Sequence, residues 1–207
     1  MKNKIILFDF DGVIIDSFEA AFRVVKMVDP SITKERCQSF FDYNINDWKK
    51  GLSEEEIRRG DEEFFGRYLP TLERARVFPG MEKVIAELGK KHTLLIISST
   101  ISSSIRTFME RNKMTEYFND IMGNEVHEDK AEKIKMVFEK YGVEPKDCLF
   151  ITDTLGDMKE ATSVGVQSVG VAWGFQEKEN LLKGKPLSIA KKPEELLNIV
   201  SNYFNKK

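Results

Sequence analysis

Short apolar runs that stop at polar residues recur along the chain. The runs lie at residues 5–8, 93–97, 120–122, 148–151 and 166–172, of which 120–122 is the weakest. Continuous apolar runs of this length are typical of strands that are buried on both faces of a parallel sheet. We therefore predict a buried parallel sheet whose strands end at polar side chains.

Apolar residues recur with helical spacing between these runs. The stretch 134–141 has apolar residues at positions i, i+3, i+4 and i+7, and similar stripes lie at 101–109 and 196–204. Strands that alternate with helices indicate βαβ units. The predicted fold class is therefore α/β, with a parallel sheet and helices on both of its faces.

One segment interrupts this alternation. Between about Ser17 and Val77 the pattern predicts helices alone, and Ser53-Glu54-Glu55-Glu56 has the form of a capping box that opens one of them. Phe78-Pro79-Gly80 contains proline and glycine, which are typical of a turn, and we expect the chain to return there to the core and enter its next helix. We predict a core domain of residues 1–16 and 78–207 and an inserted helical domain of residues 17–77.

Composition and charge exclude several classes of protein. The 207 residues are 41% hydrophobic and 32% charged with a net charge of −2, which predicts a globular protein without a nucleic-acid or membrane partner. Cys37 and Cys148 are far apart in sequence, so a reducing compartment fits better than a disulfide framework. The first apolar stretch is short for a signal peptide. We expect a cytoplasmic monomer or homodimer.

Two pairs of aspartates follow two of the predicted strands. Asp9 and Asp11 are two residues apart after the first run, and Asp153 and Asp157 are four apart after the run 148–151. Each pair alone also fits a turn or a helix start. Together they would lie at the same edge of the sheet, where ligands bind in such folds. Clustered carboxylates are suited to Mg²⁺, so we predict that these four residues form a metal site.

The remaining candidates point to phosphate. Ser98 and Ser99 end a third predicted strand and carry hydroxyl groups that could donate to a phosphate oxygen. Lys130 opens a predicted helix and could supply a positive charge, although a single lysine is more often a solvated surface residue. Lys133 is the alternative for this role.

These residues resemble the motifs of the haloacid dehalogenase-like hydrolase superfamily, in its phosphoglycolate phosphatase-like branch. Asp9-Phe10-Asp11-Gly12-Val13 matches the first motif, and Asp153-Thr154-Leu155-Gly156-Asp157 matches the fourth. Ser98 and Lys130 match the second and third. The chain departs from the pattern where Thr152 replaces the usual glycine, and where Lys130 is not followed by proline. The resemblance covers almost the whole chain and implies a Rossmann-like core with a helical cap.

The resemblance also implies a mechanism. Asp9 would attack the phosphorus of a small phosphorylated metabolite and form an aspartyl-phosphate, while Asp11 would protonate the leaving alcohol and later activate water. Asp9, Asp153 and the backbone carbonyl of Asp11 would hold Mg²⁺, and Asp157 would orient a metal-bound water or complete the shell. A halide leaves without a proton, so Asp11 favours a phosphatase over a dehalogenase.

The substrate stays open at this point. Phosphoglycolate, a sugar phosphate, a nucleotide and pyrophosphate all fit. A phosphomutase or pyrophosphatase of the same fold and a noncatalytic phosphate-binding protein are the alternatives. The polar and aromatic stretch 42–50 could recognise a leaving group, or it could simply connect two helices.

Overall fold

A computed structural model describes residues 4–205 and contains eight strands in that range. In chain order the strands are β1 (Ile5–Phe8), β2 (Ile15–Asp16), β3 (Arg76–Val77), β4 (Thr93–Ile97), β5 (Asp120–Met122), β6 (Cys148–Thr152), β7 (Gln167–Val171) and β8 (Ser188–Ala190). Six of them form a parallel sheet in the order β5-β4-β1-β6-β7-β8. The predicted α/β class is thereby confirmed, and β8 is a strand that the apolar pattern did not reveal.

Helices cover both faces of this sheet. The helices after β3 are α4 (Met81–Gly89), α5 (Ser102–Arg111), α6 (Lys130–Tyr141), α7 (Leu155–Ser163), α8 (Lys178–Lys183) and α9 (Glu195–Asn205). Side chains of a strand alternate between faces, so Phe8 packs in a core with Phe108 and Leu196, while Leu7 packs with Ile134 on the other side. Both faces of β1 are therefore buried away from water, which explains its unbroken apolar sequence.

The register of the sheet places the predicted site. Phe8, the last residue of β1, lies opposite Ile96 of β4 and Ile151 of β6. The chain therefore leaves three neighbouring parallel strands at one edge, as the sequence predicts. Asp9 stays attached to this edge, because its backbone N–H donates to the carbonyl of Ile151 at 2.9 Å.

The segment that was predicted as a helical insertion contains three α-helices. They are α1 (Phe18–Val28), α2 (Lys34–Ser39) and α3 (Glu54–Tyr68), and 3-10 turns lie at Phe40–Asp42, Ile45–Lys49 and Leu69–Glu73. The predicted capping box at the start of α3 is confirmed, with Ser53 and Glu56 bonded reciprocally. We call residues 17–77 the helical insertion below.

The expectation of helices alone over 17–77 is wrong at its last two residues. Arg76–Val77 is strand β3, which pairs antiparallel with β2, so that Ile15 lies opposite Val77. A two-residue strand is too short to show an alternating pattern, which is why the sequence did not reveal it. This small ribbon joins the two ends of the helical insertion. The division into two domains stays a prediction.

None of the helices described between residues 4 and 205 has both the length and the hydrophobicity that a bilayer-spanning segment needs. The cytoplasmic location and the monomeric or homodimeric state stay predictions.

Candidate active site

The end of β1 determines where the first two aspartates lie. Asp9 is 5% exposed, and its Oδ1 accepts a hydrogen bond from the backbone N–H of Phe10 at 2.7 Å. Gly12 follows with a φ of +70°, and a Cβ at that position would meet Oδ2 of Asp153 at 1.9 Å. The glycine of the first motif is therefore required both by its backbone conformation and by the close approach of a second carboxylate.

Three buried carboxylates converge at this edge of the sheet. Asp153 follows β6, and Asp157 lies in the first turn of α7, whose N-cap is Thr154. Together with Asp9 they present oxygen atoms that all lie within 4.8 Å of one another. The Asp11 carboxylate is not part of this group, and the predicted contact of the Asp11 backbone carbonyl with the metal stays a prediction.

One oxygen of this cluster has no partner. Oδ2 of Asp153 accepts from the backbone N–H of Phe175 at 2.6 Å, whereas its Oδ1 is buried without a hydrogen bond. Leaving a buried carboxylate oxygen unpaired is costly unless a cation or water contacts it. Three oxygen-bearing acids with one such atom fit a hard cation such as Mg²⁺.

Lys130 is the positive charge of the cluster. Its Nζ lies 2.8 Å from Oδ2 of Asp9 and 2.7 Å from Oδ2 of Asp157. The same oxygen of Asp157 accepts from the hydroxyl of Thr152 at 2.6 Å. Thr152 stands where the family usually has glycine, and its hydroxyl helps to hold the Asp157 carboxylate in place.

The single positive charge of Lys130 does not neutralise the three buried carboxylates of Asp9, Asp153 and Asp157. Burial, against the pull of Lys130, raises the pKa of Asp9 well above its ordinary range, and burial raises the pKa of Asp153 to about 7. Burial also opposes ionisation of Asp157, yet Lys130 and the hydrogen bonds to this carboxylate lower its pKa. A divalent cation would favour the ionised form of all three groups.

Lys133, the alternative to Lys130, lies elsewhere. It is fully buried, and its Nζ donates to the backbone carbonyls of Ser98 at 2.6 Å and Gly123 at 3.2 Å. Burial, followed by repulsion from Lys130, lowers its pKa to about 8. Lys133 thus holds together the chain segments that follow β4 and β5, while Lys130 contacts the carboxylates.

Asp11 is held by three hydroxyl groups. Its Oδ1 accepts from Ser17 at 2.8 Å and from Tyr68, and its Oδ2 accepts from Thr100 at 2.7 Å. Sequence reasoning missed these partners. Thr100 could have been suspected because it continues the polar end of β4 after Ser98, whereas the local sequence around Tyr68 carries no signal of a partner in the core.

The predicted phosphate-binding serines lie beside this group. Ser98 is fully buried, and its Oγ accepts from the backbone N–H of Thr100 at 3.0 Å. This bond curls the chain after β4 towards Asp11. Ser98, Ser99 and Lys130 all line the same cavity as Asp9 and Asp11.

Part of the stretch 42–50 bonds directly to the core. The Asn44 side chain donates to Asp129 at 2.6 Å and to Glu160 at 3.1 Å, and Glu160 also accepts from the backbone N–H of Lys130 at 2.9 Å. The helical insertion thereby contacts the start of the helix that carries Lys130. The side chain of Trp48, in the same stretch, lies outside the part that the structure describes.

A cavity of about 630 Å³ lies between the core and the helical insertion. The core contributes the polar groups described above, together with Asn124. The helical insertion contributes mainly apolar side chains, which include Val25, Phe64 and Phe65. The acidic cluster therefore opens onto a space large enough for a metabolite.

Comparison with known proteins agrees with this geometry. The family model of the haloacid dehalogenase-like hydrolases matches residues 6–171. A phosphoglycolate phosphatase from Synechococcus elongatus is 24% identical over 207 residues, which cover 95% of this chain and 96% of that protein. A phosphoglycolate phosphatase from Vibrio parahaemolyticus is 22% identical over 219 residues, covering 96% of each chain.

A solved structure shares the fold. A protein from Clostridium acetobutylicum described as a predicted phosphatase superposes with a TM-score of 0.81 at 21% identity, over 98% of this chain and 100% of its own. The resemblance inferred from the motifs is confirmed by the family match and these relatives. The family model covers both aspartate pairs and most of the sheet, and the chain belongs to the haloacid dehalogenase-like hydrolases.

Proposed function

We propose that this hydrolase is a Mg²⁺-dependent phosphatase that cleaves a small phosphate monoester through an aspartyl-phosphate on Asp9. The observation that carries the proposal is the contact of Lys130 with Asp9 at 2.8 Å, inside a buried cluster of acids. The names of the curated relatives, which are phosphoglycolate phosphatases, support the same class of reaction.

Asp9 is the nucleophile in this proposal. One of its oxygens forms a bond to phosphorus while the bond from phosphorus to the leaving oxygen breaks. Oδ1 is fixed by the Phe10 amide and Oδ2 faces Lys130, so the carboxylate is held in one orientation. Lys130 would contact the phosphoryl oxygens as negative charge shifts onto them.

Asp11 is the acid and then the base. It gives its proton to the leaving alcohol, and it later takes a proton from the water that attacks the aspartyl-phosphate and releases inorganic phosphate. A hydroxyl group can donate or accept a hydrogen bond, so Ser17, Tyr68 and Thr100 can stay bonded to Asp11 in both of its protonation states.

Asp9, Asp153 and Asp157 are the residues that would hold Mg²⁺. The unpaired Oδ1 of Asp153 is the feature that favours a cation here. When bound, Mg²⁺ would polarise the phosphoryl group and offset its repulsion by the carboxylates. Ser98 and Ser99 line the cavity beside this cluster and are proposed to hold the remaining phosphate oxygens.

The direct test is a phosphate-release screen over a panel of phosphorylated metabolites, with Mg²⁺ and with excess chelator. We expect Mg²⁺-dependent release from at least one monoester and none from the Asp9→Asn variant. Release that persists in chelator with metal content checked, or that survives in Asp9→Asn, would contradict the proposal. Transfer of phosphate within a sugar bisphosphate, without release, would instead identify a mutase.

A further inference from the structure

We propose that the leaving group of the substrate is an uncharged alcohol with an apolar or aromatic body, and not a small carboxylate such as glycolate. This inference rests on the proposed phosphatase function and specifies its substrate class. It concerns the wall of the cavity that the helical insertion supplies.

That wall is built from aromatic and aliphatic side chains. Phe64 of α3 stacks on Tyr68 with ring centres 5.3 Å apart and meets Phe65 edge-on at 5.5 Å. Val25 of α1 and Phe41 also line the cavity. Surfaces of this kind bind apolar groups and gain little from a charged one.

The charges around the cavity also disfavour an anionic leaving group. Among the described residues that line it, six are aspartates, while the positively charged side chains are Arg36 and Lys130. Lys130 already contacts Asp9 and Asp157. Among the described lining residues, Arg36 is therefore the candidate cation for a leaving-group carboxylate.

Arg36 is poorly placed for that task. The residue is exposed, and its guanidinium lies 5.4 Å from the centre of the Phe40 ring, with a long contact of 3.5 Å from Nη1 to Ser39. The Ser39 hydroxyl is itself used, because it donates to the backbone carbonyl of Arg36 at 2.8 Å. The positive charge is thus kept in water, where its attraction for a ligand is screened.

Three polar side chains of the insertion that line the cavity have partners elsewhere. The Asn44 amide donates to Asp129 and Glu160, and the Asn46 amide donates to the Glu128 carbonyl at 3.0 Å. Asp61 is paired with Lys49 at 2.7 Å. These three groups are therefore already engaged, whereas the apolar side chains of the wall remain for the substrate.

The size of the cavity agrees with this assignment. At about 630 Å³ it is in the range of pockets that enclose drug-sized ligands, which exceed glycolate several-fold in volume. A glycolate group would leave much of the apolar wall uncovered. A bulky apolar alcohol would cover it and exclude water from the phosphoryl group.

The experiment compares three alkyl phosphates with Mg²⁺ present: 2-phenylethyl phosphate, ethyl phosphate and 2-phosphoglycolate. We expect kcat/KM for phenylethyl phosphate to exceed that for phosphoglycolate at least tenfold, with ethyl phosphate between them. Phosphoglycolate as the equal or better substrate would overturn the inference while leaving the phosphatase function intact. No Mg²⁺-dependent release from any of the three would overturn the inference alone if the metabolite panel shows release, and would reject both proposals if the panel shows none.

Two variants test whether the apolar side chains of the helical insertion cause the preference for phenylethyl phosphate. Phe65→Lys adds a cation to the cavity and should lower the ratio of phenylethyl phosphate to phosphoglycolate at least tenfold. Val28→Lys is the matched control, since Val28 is 67% exposed on the same insertion and does not line the cavity, and it should leave the ratio unchanged. An unchanged ratio in a folded Phe65→Lys variant would count against the inference.

Milder changes keep the inference testable if Phe65→Lys does not fold. Phe65→Leu retains an apolar side chain but removes the ring, and it should reduce the ratio of kcat/KM for phenylethyl phosphate to kcat/KM for ethyl phosphate. Arg36→Ala should not alter the order of the three substrates. If Arg36→Ala selectively abolishes a dominant phosphoglycolate activity, Arg36 is a carboxylate receptor and the inference is wrong.

Discussion

The phenolic hydroxyl of Tyr68 donates a hydrogen bond to Oδ1 of Asp11, although the two residues are 57 positions apart. Tyr68 is the last residue of α3 in the helical insertion, whereas Asp11 follows the central strand of the core. Burial, together with the nearby charge of Asp11, raises the pKa of Tyr68 well above its ordinary value, so the phenol remains a donor at neutral pH. The insertion thereby contacts the proposed acid/base directly.

Tyr68→Phe is expected to impair proton transfer more than nucleophilic attack. The ring and its stacking on Phe64 remain, but one of three donors to Asp11 is lost. We expect kcat/KM for an alkyl phosphate to fall about tenfold, the equivalent of roughly one hydrogen bond. With p-nitrophenyl phosphate, whose leaving group needs no proton, the fall in the phosphorylation step should be smaller.

Tyr141→Phe is the control for this prediction, because Tyr141 ends α6 and does not line the cavity. Equal losses with both substrates in Tyr68→Phe would mean that Tyr68 supports the structure of the site and does not position Asp11.

Asp9→Asn and Asp11→Asn should separate the two proposed steps. Asp9→Asn removes the nucleophile, so no covalent intermediate can form with any substrate. Asp11→Asn keeps the nucleophile but removes the base that activates water. With p-nitrophenyl phosphate, intact-mass measurement should therefore detect a phosphate adduct on Asp11→Asn and none on Asp9→Asn. An adduct on another residue would refute the role of Asp9.

Asp153→Asn should weaken Mg²⁺ binding more than Asp157→Asn does. Asp153 has a buried oxygen without a hydrogen bond, whereas Oδ2 of Asp157 is already engaged by Lys130 and Thr152. Calorimetric titration should show at least a tenfold loss of affinity for Asp153→Asn, on the order of what one ligating charge contributes. Asp120→Asn is the control and should bind Mg²⁺ with unchanged affinity. Asp120 is the first residue of β5 and therefore lies at the end of the strand away from the aspartate cluster. A larger loss in Asp157→Asn would reverse the assignment.

Lys130→Met and Lys133→Met should distinguish the two lysines. Lys130 contacts Asp9, the proposed nucleophile, so its loss should lower kcat/KM by about 10²–10³-fold, as the loss of a transition-state donor typically does. Lys133 bonds to backbone carbonyls, and we expect its loss to lower kcat/KM less than about tenfold. Thermal melts check that each variant is folded. The opposite order would move the third motif to Lys133.

The main effect of Lys133→Met should be on stability. The carbonyls of Ser98 and Gly123 would lose a buried donor, which costs about 1–3 kcal/mol of unfolding free energy. Lys135→Met is the matched control on the same helix, because Lys135 is exposed and forms an exposed ion pair with Glu132, and it should change stability by less than about 0.5 kcal/mol.

This stability difference should depend on pH. The pKa of Lys133 falls from 10.5 to about 8 on folding, so between these values the unfolded chain binds a proton that the folded protein does not. The contribution of Lys133 to stability therefore rises with pH across that window. Urea unfolding at about pH 7 and about pH 9.5 should show that the advantage of the native chain over Lys133→Met grows at the higher pH. A constant or shrinking advantage would contradict the lowered pKa.

The sequence alone determined the sheet and the acids at its edge. Strands buried on both faces must be apolar throughout, so β1, β4 and β6 appeared as uninterrupted runs. Parallel strands share one carboxyl edge, and the positions of Asp9 and Asp153 followed from that rule. The hydrolase class also followed from the motifs and is confirmed by the family match. Weakly patterned elements, such as β3 and β8, did not follow, because two or three residues carry no periodicity.

Only the tertiary structure decided which side chains meet across the cavity. Tyr68 and Lys133 occupy ordinary positions on amphipathic helices, and local pattern cannot tell a side chain that fills a core from one that reaches a distant carboxylate or carbonyl. The same limit applies to Phe64 and Phe65 of α3, which line the same cavity as the aspartates in the structure. Local periodicity reports burial, whereas the partner of a buried group depends on how distant segments pack, and that relationship exists only in the folded chain.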